Sequence, residues 1–423
     1  MSSSILIVGA GIAGLTAALA LQARGFADVA ILERAAAFGD SGSGLNVLPP
    51  AVRELDRLGL LDMLLRGSVQ LDRLEYSTQR GQLIWSEKRG CAAGFRWPQL
   101  SVSRSTLHQG LFERVTSVLG SASVIMASAV QSIDRRADGS LSVTCPDGRA
   151  FGADLVIGAD GIRSAVRSAV EPDFAGLQLA PVTIYRGNCW HPTFRDDDRT
   201  MIIAGDGRSK FVVYPMLPRQ RYGNSLINWA AAIPDDATSP HPLGRWNVSV
   251  SSSEIAKEFA GWTLDGVSPS ALIEATGRTY AYPMVDIDPL ARWSNGSDIV
   301  LVGDAAHAMY PVGSNGATQS IIDAVALAHF LSIENGIRHA LAAYERDRRP
   351  RVSQIQLSNR HKGPEIVVDI AAERAPYGFG SIADVFPGTE LTDIANRYAA
   401  LAGMEREQAN APSPYGASIP HKS

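Results

Sequence analysis

Three short stretches of the chain set glycine and a carboxylate directly behind aliphatic runs. The first is ILIVGAGIAGLTAALAL, with Gly9, Gly11 and Gly14 in G-x-G-x-x-G spacing around Ile12 and Ala13. Glu33, followed by Arg34, closes the next aliphatic run about 20 residues further on, the distance at which an acidic residue meets a ribose. In this pattern the first glycine makes the turn and the second lets the backbone approach a pyrophosphate at a helix N-terminus. The third permits close helix packing, so the unit is read as a dinucleotide site.

The second stretch, ADLVIGADGIRSAVRSAV, places Asp160 and Gly161 behind another aliphatic run. Taken alone it reads first as a helix N-cap and turn. The third, IVLVGDAAHAMYPVGSNGATQ, ends a strand at Gly303-Asp304, where a carboxylate of a parallel sheet can face a ligand crevice. Pro311, Gly313, Gly316 and Ala317 then shape a loop that feeds the helical run SIIDAVALAHFL. His307, three residues beyond Asp304, is assigned to packing around the site rather than to acid–base work.

The elements that position these stretches follow from hydrophobic period. ILIV, a glycine turn, a helix and VAILER form a βαβ unit, which starts a parallel sheet. AVRELDRLGLLDMLL has helical spacing, as does SRSTLHQGLFERVTSVLG. Residues 71–100, with Trp85 and Trp97, switch to short alternating segments of a different sheet. From 178 to 295, runs such as VTIYRG, TMIIAG, SKFVVYP and SLINWAAAI read as an antiparallel sheet.

The expected fold is therefore α/β: a Rossmann-like dinucleotide-binding domain (1–70, 101–177 and 296–345) interleaved with an antiparallel substrate domain (71–100 and 178–295). Helices and a tail follow from 346 to 423. Arginines 346, 348, 349 and 351 are expected on a solvated helix face, and the Pro- and Ser-containing end as a surface arm or disorder.

Composition narrows the function classes. With 423 residues, 45% hydrophobic and 19% charged, and a net charge of -4, the chain carries no basic nucleic-acid footprint. Cys91, Cys145 and Cys189 lie far apart without metal-type or disulfide-framework spacing, so no metal site is expected. The N-terminal apolar run is too short for a signal peptide, and no membrane span is expected. The cytoplasm is the default compartment, with a monomer or homodimer as the form.

GAGIAG, GADGIRSAVR, and VGDAAH with PVGSNGA resemble, in order and spacing, the three fingerprints of the single-component (class A) FAD-dependent aromatic hydroxylases. The similarity extends over about residues 5–350, and the combination of three motifs is specific. WSEKRG, YRG at 185–187, NW at 228–229 and YPMVDIDPL resemble a subgroup that includes a phenazine monooxygenase of pyocyanin formation.

The resemblance implies that Gly9, Gly11 and Gly14 bracket the FAD pyrophosphate, with Glu33 on the adenosine ribose and Arg104 facing the FAD. It implies Asp160 and Gly161 at both FAD and reduced nicotinamide, and Asp304 on the ribityl chain. The 313–318 backbone would face the ring's pyrimidine edge, where a helix N-terminus stabilises negative charge. Arg186, Trp97, Tyr214, Asn228, Met284 and Tyr310 are the candidates for an aromatic substrate pocket, set against the bland alternative that such residues are sheet core.

Only one G-x-G-x-x-G is present, so NADH or NADPH would bind transiently without a Rossmann domain of its own. The activity implied is hydroxylation of a planar aromatic or N-heteroaromatic molecule by O2 through a C4a-hydroperoxyflavin. A flavin oxidase or reductase of the same fold, and a non-catalytic flavin-binding protein, remain the alternatives.

Overall fold

The computed structural model of the protein describes residues 3–39, 43–192, 198–217, 223–235 and 246–416. Its first layer is a parallel sheet in the order Ile299–Leu301, Leu155–Gly158, Ile5–Val8, Val29–Leu32 and Val124–Ile125. The four aliphatic strands are buried almost throughout, as parallel strands covered on both faces must be. Helix Ile12–Gln22 is apolar nearly all round, because it touches the sheet and the helices Arg104–Leu119 and Asn315–Ile333 at once.

The second layer is an eight-stranded sheet. It runs Val248–Val250, Thr279–Ile287, Leu177–Pro192, Asn224–Pro234, Lys210–Leu217, Thr200–Gly205, Arg73–Thr78 and Leu83–Lys88. Every pairing is antiparallel except that of Thr200–Gly205 with Arg73–Thr78, which stitches the early segment to the later one. The α/β class with a parallel core, a mostly antiparallel second sheet and C-terminal helices is thus as expected. A small sheet of Gly44–Val47, Gln99–Ser103 and Ser68–Leu71 bridges the two layers, and a meander of Ser132–Arg135, Leu141–Thr144 and Ala150–Ala153 flanks the first.

Several local expectations change. The run AVRELDRLGLLDMLL is two helices, Pro49–Arg57 and Leu61–Arg66, broken at Gly59, whose φ of 78° is a left-handed helix ending. The arginine cluster is not uniformly solvated. Arg348, on helix Ile337–Arg360, is 2% exposed and donates from Nε to Asp323 at 2.8 Å and from a terminal nitrogen to Gln319 at 2.7 Å.

The chain end through residue 416 is not a free arm. Tyr415 is buried, its hydroxyl donates to Asp347 at 2.9 Å, Arg24 donates to its carbonyl, and Arg57 donates to the Gly416 carbonyl at 2.8 Å. The final seven positions of the expected arm lie outside the described residues.

Asn315–Ile333 is the one helix among the described residues with the length and apolarity of a membrane span. Here it is a core helix, and its buried Asp323 carries the main polar network. Asp323 accepts from His307 and Arg348 and, at 3.3 Å, from the Gly303 amide. Burial pushes its carboxyl up, but the His307 and Arg348 partners outweigh this and hold it below the usual carboxylate range. Replacing Asp323 by Ala leaves the buried Arg348 cation without its carboxylate, with the Gln319 side-chain oxygen left to accept from it. Chemical denaturation of Asp323→Ala is therefore expected to show a loss of about 3–5 kcal/mol, the range for breaking one side of a buried pair.

Candidate active site

The strands of the parallel sheet end on one side in Gly9, Glu33, Asp160 and Asp304. A cavity of about 900 Å³ opens there, between these carboxyl ends and one face of the eight-stranded sheet. The second wall follows from strand alternation. Ile184, Arg186, Ala230, Ala232, Val212 and Ile203 face the cavity. The intervening Phe211, Val213, Trp229 and Ala231 form a separate core with the residues of helices Ser252–Glu258 and Pro269–Glu274.

At the first turn, Gly9, Gly11, Ile12 and Ala13 line the cavity beside Glu33 and Arg34. Gly14 does not line it and serves packing: a Cβ there would lie 2.0 Å from the Gly9 carbonyl oxygen. Gly9 has φ of 103°, and its Cβ would strike Ala159 at 2.5 Å. A Cβ on Gly11 would meet no atom within 4 Å, so that position is open only toward the cavity.

The Ala10 peptide between the glycines is held at both ends. Its amide donates to Glu33 at 2.9 Å, and its carbonyl accepts from His108 at 2.7 Å. Glu33 also accepts from the Ala35 amide at 2.8 Å, which leaves each of its carboxylate oxygens a lone pair for a ligand hydroxyl. A helix N-terminus with a bare glycine surface and a fixed acceptor fits a dinucleotide such as FAD.

The second motif is both a cap and a wall. Asp160 accepts from Ser164 Oγ at 2.5 Å and from the Ala165 amide at 2.7 Å, so its carboxylate organises the turn while its face, with Gly161, lines the cavity. Burial pushes its carboxyl up, against these hydrogen bonds. Arg167, to which the sequence reading gave no role, is buried and donates to the Ala305 carbonyl at 2.8 Å and the Asp304 carbonyl at 3.3 Å. It ties the second motif to the third. Burial lowers its pKa to about 10, opposed by Asp160 and Asp304.

In the third motif Gly303 lies behind the wall with φ of 60°, where a Cβ would strike Ser320 and Ala13. Asp304 turns its exposed side chain to the cavity, and Pro311, Gly313, Gly316 and Ala317 line it. Gly313 and Ser314 are both left-handed before helix Asn315–Ile333 begins, so the helix N-terminus is presented to the cavity. Arg104 projects from the start of its helix into the same space.

Five of the six pocket candidates, Arg186, Tyr214, Asn228, Met284 and Tyr310, line the cavity. Trp97 does not. It belongs to the first core cluster, donates from its indole to Asp56 at 2.9 Å and carries Arg96 over its ring at 5.0 Å, so its polar edge is already satisfied on the helix side. Arg186 sits on the cavity face of the large sheet with the Tyr282 ring 5.8 Å from its guanidinium and no carboxylate partner among the described residues. Burial and nearby Arg104 lower its pKa, and Tyr214 and Tyr282 oppose this. Burial pushes the Tyr214 hydroxyl up to about 12, so it stays protonated at neutral pH.

Residues that the sequence reading missed complete the far end: Lys210, Glu365 and Tyr398, with the ion pair of Glu87 and Arg89 at 2.6 Å. Lys210 alternates with Val212 and Tyr214 along one strand, which was a readable signal. Glu365 and Tyr398 carried none, because only the tertiary fold brings them to the loop.

Residues 2–357 match the family described as "FAD binding domain". Over 373 residues the chain is 37% identical to a phenazine 1,6-dicarboxylic acid hydroxylase, PhzS, of Lysobacter antibioticus, covering 85% of this chain and 90% of the relative. The chain belongs to the FAD-dependent aromatic hydroxylases. A salicylate hydroxylase of Pseudomonas putida is 30% identical over 388 residues, covering 84% of each chain. Klebsiella pneumoniae HpxO, solved with FAD and uric acid, shares the fold at a TM-score of 0.72 and 24% identity, over 94% of this hydroxylase and 92% of that chain. The hydroxylase is thus a flavoprotein monooxygenase that uses FAD, a reduced nicotinamide and O2.

The two kinds of glycine at the first turn separate packing from ligand approach. Gly14→Ala is expected to lower the melting temperature even without cofactor. Gly11→Ala is expected to leave the melting temperature of the apoprotein unchanged and to weaken FAD binding, read by fluorescence titration with FAD. Equal behaviour of the two variants would contradict this division.

Proposed function

We propose that the hydroxylase adds oxygen to a planar aromatic or N-heteroaromatic acid, such as a phenazine-like or phenolic acid, with Arg186 holding the substrate's anion. The observation that carries this reading is the Arg186 guanidinium, which faces the cavity from the large sheet with no carboxylate partner among the described residues. A half-buried cation without a carboxylate partner is unfavourable by itself and is relieved by a ligand carboxylate or phenolate. The relatives named for phenazine 1,6-dicarboxylic acid and salicylate act on aromatic acids, which accords with it.

In this reading Gly9, Gly11 and the helix N-terminus receive the FAD pyrophosphate, Glu33 the ribose, and Asp304 the ribityl hydroxyls. Arg104 lies alongside the cofactor, and the 313–318 backbone faces the flavin ring. Bound FAD, reduced by the nicotinamide, supplies the activated oxygen. The protein's own residues do the rest. Arg186 sets the substrate's orientation, and Ile184, Ala230, Val212 and Ile203 give a flat apolar bed for its rings. Tyr214, held protonated, and Asn228 offer hydrogen bonds at the ring edge. Met284 and Tyr310 close the space around the ring against water.

The test is a screen of aromatic acids for stimulated NAD(P)H consumption, with hydroxylated product measured against hydrogen peroxide. Product formation supports the reading; peroxide alone with every acid that stimulates consumption would reject it. Loss of one charge-assisted hydrogen bond, about 1.5–3 kcal/mol, makes Arg186→Met raise the KM of the stimulating acid by about 10- to 100-fold. The same variant should hardly change FAD content. Asp304→Ala, in contrast, is expected to purify with reduced FAD occupancy, read from the visible flavin spectrum.

A further inference from the structure

The matched family region ends at residue 357, yet the cavity is walled further on by Pro364, Glu365, Tyr398, Ala402 and Met404. Two of these residues hold the 312–315 turn from behind. The Tyr398 hydroxyl accepts from Asn315 Nδ2 at 2.9 Å and donates to Asn359 Oδ1 at 2.8 Å. Asn359 Nδ2 in turn donates to the Val312 carbonyl at 3.2 Å and the Tyr310 carbonyl at 3.1 Å.

Glu365, 4% exposed, accepts from the Gly313 amide at 3.2 Å through one oxygen and pairs with Lys210 of the large sheet through the other. Tyr398 also packs so close that a Cβ on Gly313 would lie 2.1 Å from its hydroxyl. Ser314, with φ of 59°, is in a conformation that L residues keep only where the surroundings over-determine it, and these contacts are the surroundings.

We propose that Tyr398 and Glu365, in the segment beyond residue 357, are positioning residues for the flavin-facing turn, and that Lys210 balances the charge Glu365 brings to it. The proposal rests on the reading above that this turn faces the flavin ring. Its electrostatic part has a sign. A carboxylate at the Gly313 amide opposes the helix N-terminus that favours an anionic reduced ring, and the Lys210 ammonium restores that preference.

Four variants test this in the holoprotein and in apoprotein titrated with FAD: Tyr398→Phe, Glu365→Leu, Glu365→Gln and Lys210→Met. Tyr398→Phe and Glu365→Leu are expected to raise the FAD dissociation constant about tenfold, as the loss of a single hydrogen bond predicts. Glu365→Gln keeps an oxygen for the Gly313 amide, so it is expected to retain FAD affinity while its flavin midpoint potential rises. Lys210→Met is expected to lower that potential.

A purely structural role would lower melting temperatures and leave the folded fraction with parental FAD affinity and potential; that result overturns the proposal. So does a shift of the same sign in Glu365→Gln and Lys210→Met. Asp304→Ala is the control. If it loses FAD while the four variants keep parental affinity and potential, the positioning proposal alone falls. If Asp304→Ala also keeps FAD fully, the placement of the cofactor falls with it.

Discussion

The site is built on a charge that has no access to water. Asp323 lies in the middle of an apolar helix and is fully buried, with His307 and Arg348 as its partners. A carboxylate placed there is tolerable only when its hydrogen-bonding capacity is filled, and filling it fixes three elements relative to one another. Through Gly303 and His307 it holds the strand end that carries Asp304. Through Arg348 and Gln319 it continues to Asn315, to which Gln319 donates at 2.9 Å, and so reaches the turn at the cavity. The motif that lines the cavity with Asp304 and the 313–317 turn is thus the exposed tip of a polar chain running through the core.

Around that chain, close contact does what side chains cannot. Gly9, Gly14 and Gly303 let the first turn, the Asp160 segment and the start of helix Asn315–Ile333 meet at backbone distance. Arg167 locks the same junction by donating to backbone carbonyls of the third motif. The large sheet contributes a different economy of structure: one set of alternating residues packs a private core against two helices, and the other set is a flat cavity wall. Lys210 and Arg186 are charges on that wall, one paired and one open.

Much of this was legible before any coordinates. Strand, glycine turn and helix are local patterns, so the first and third motifs and the parallel sheet followed from spacing, whereas the second motif read alone as a cap and turn, and Arg186, Tyr214 and Tyr310 stood only as pocket candidates set against a sheet core. The failures are as instructive. Trp97 has the composition of a pocket residue, but its indole is already satisfied by Asp56. Arg348 sits in a run of arginines and only a contact from another helix distinguishes it from its solvated neighbours. Gly59 splits one helical run into two because its backbone takes a left-handed value that hydrophobic period does not report. Glu365 and Tyr398 come from elements far along the chain, and no local pattern marks them.

The single parallel pairing of Thr200–Gly205 with Arg73–Thr78 has a consequence for the order in which the protein is made. Strands Arg73–Thr78 and Leu83–Lys88 leave the ribosome long before the strands they extend, and Ile299–Leu301, an edge strand of the parallel sheet, emerges only after the large sheet's last strand, Thr279–Ile287. The large sheet has all its strands by residue 287, whereas the parallel sheet, begun at residue 5, waits for Ile299–Leu301 beyond it. Such non-local pairing slows folding and leaves unpaired edges exposed in the nascent chain. The cavity between the two layers is consequently completed last, because its lining runs on through Asp304 and the 311–317 loop to Met404.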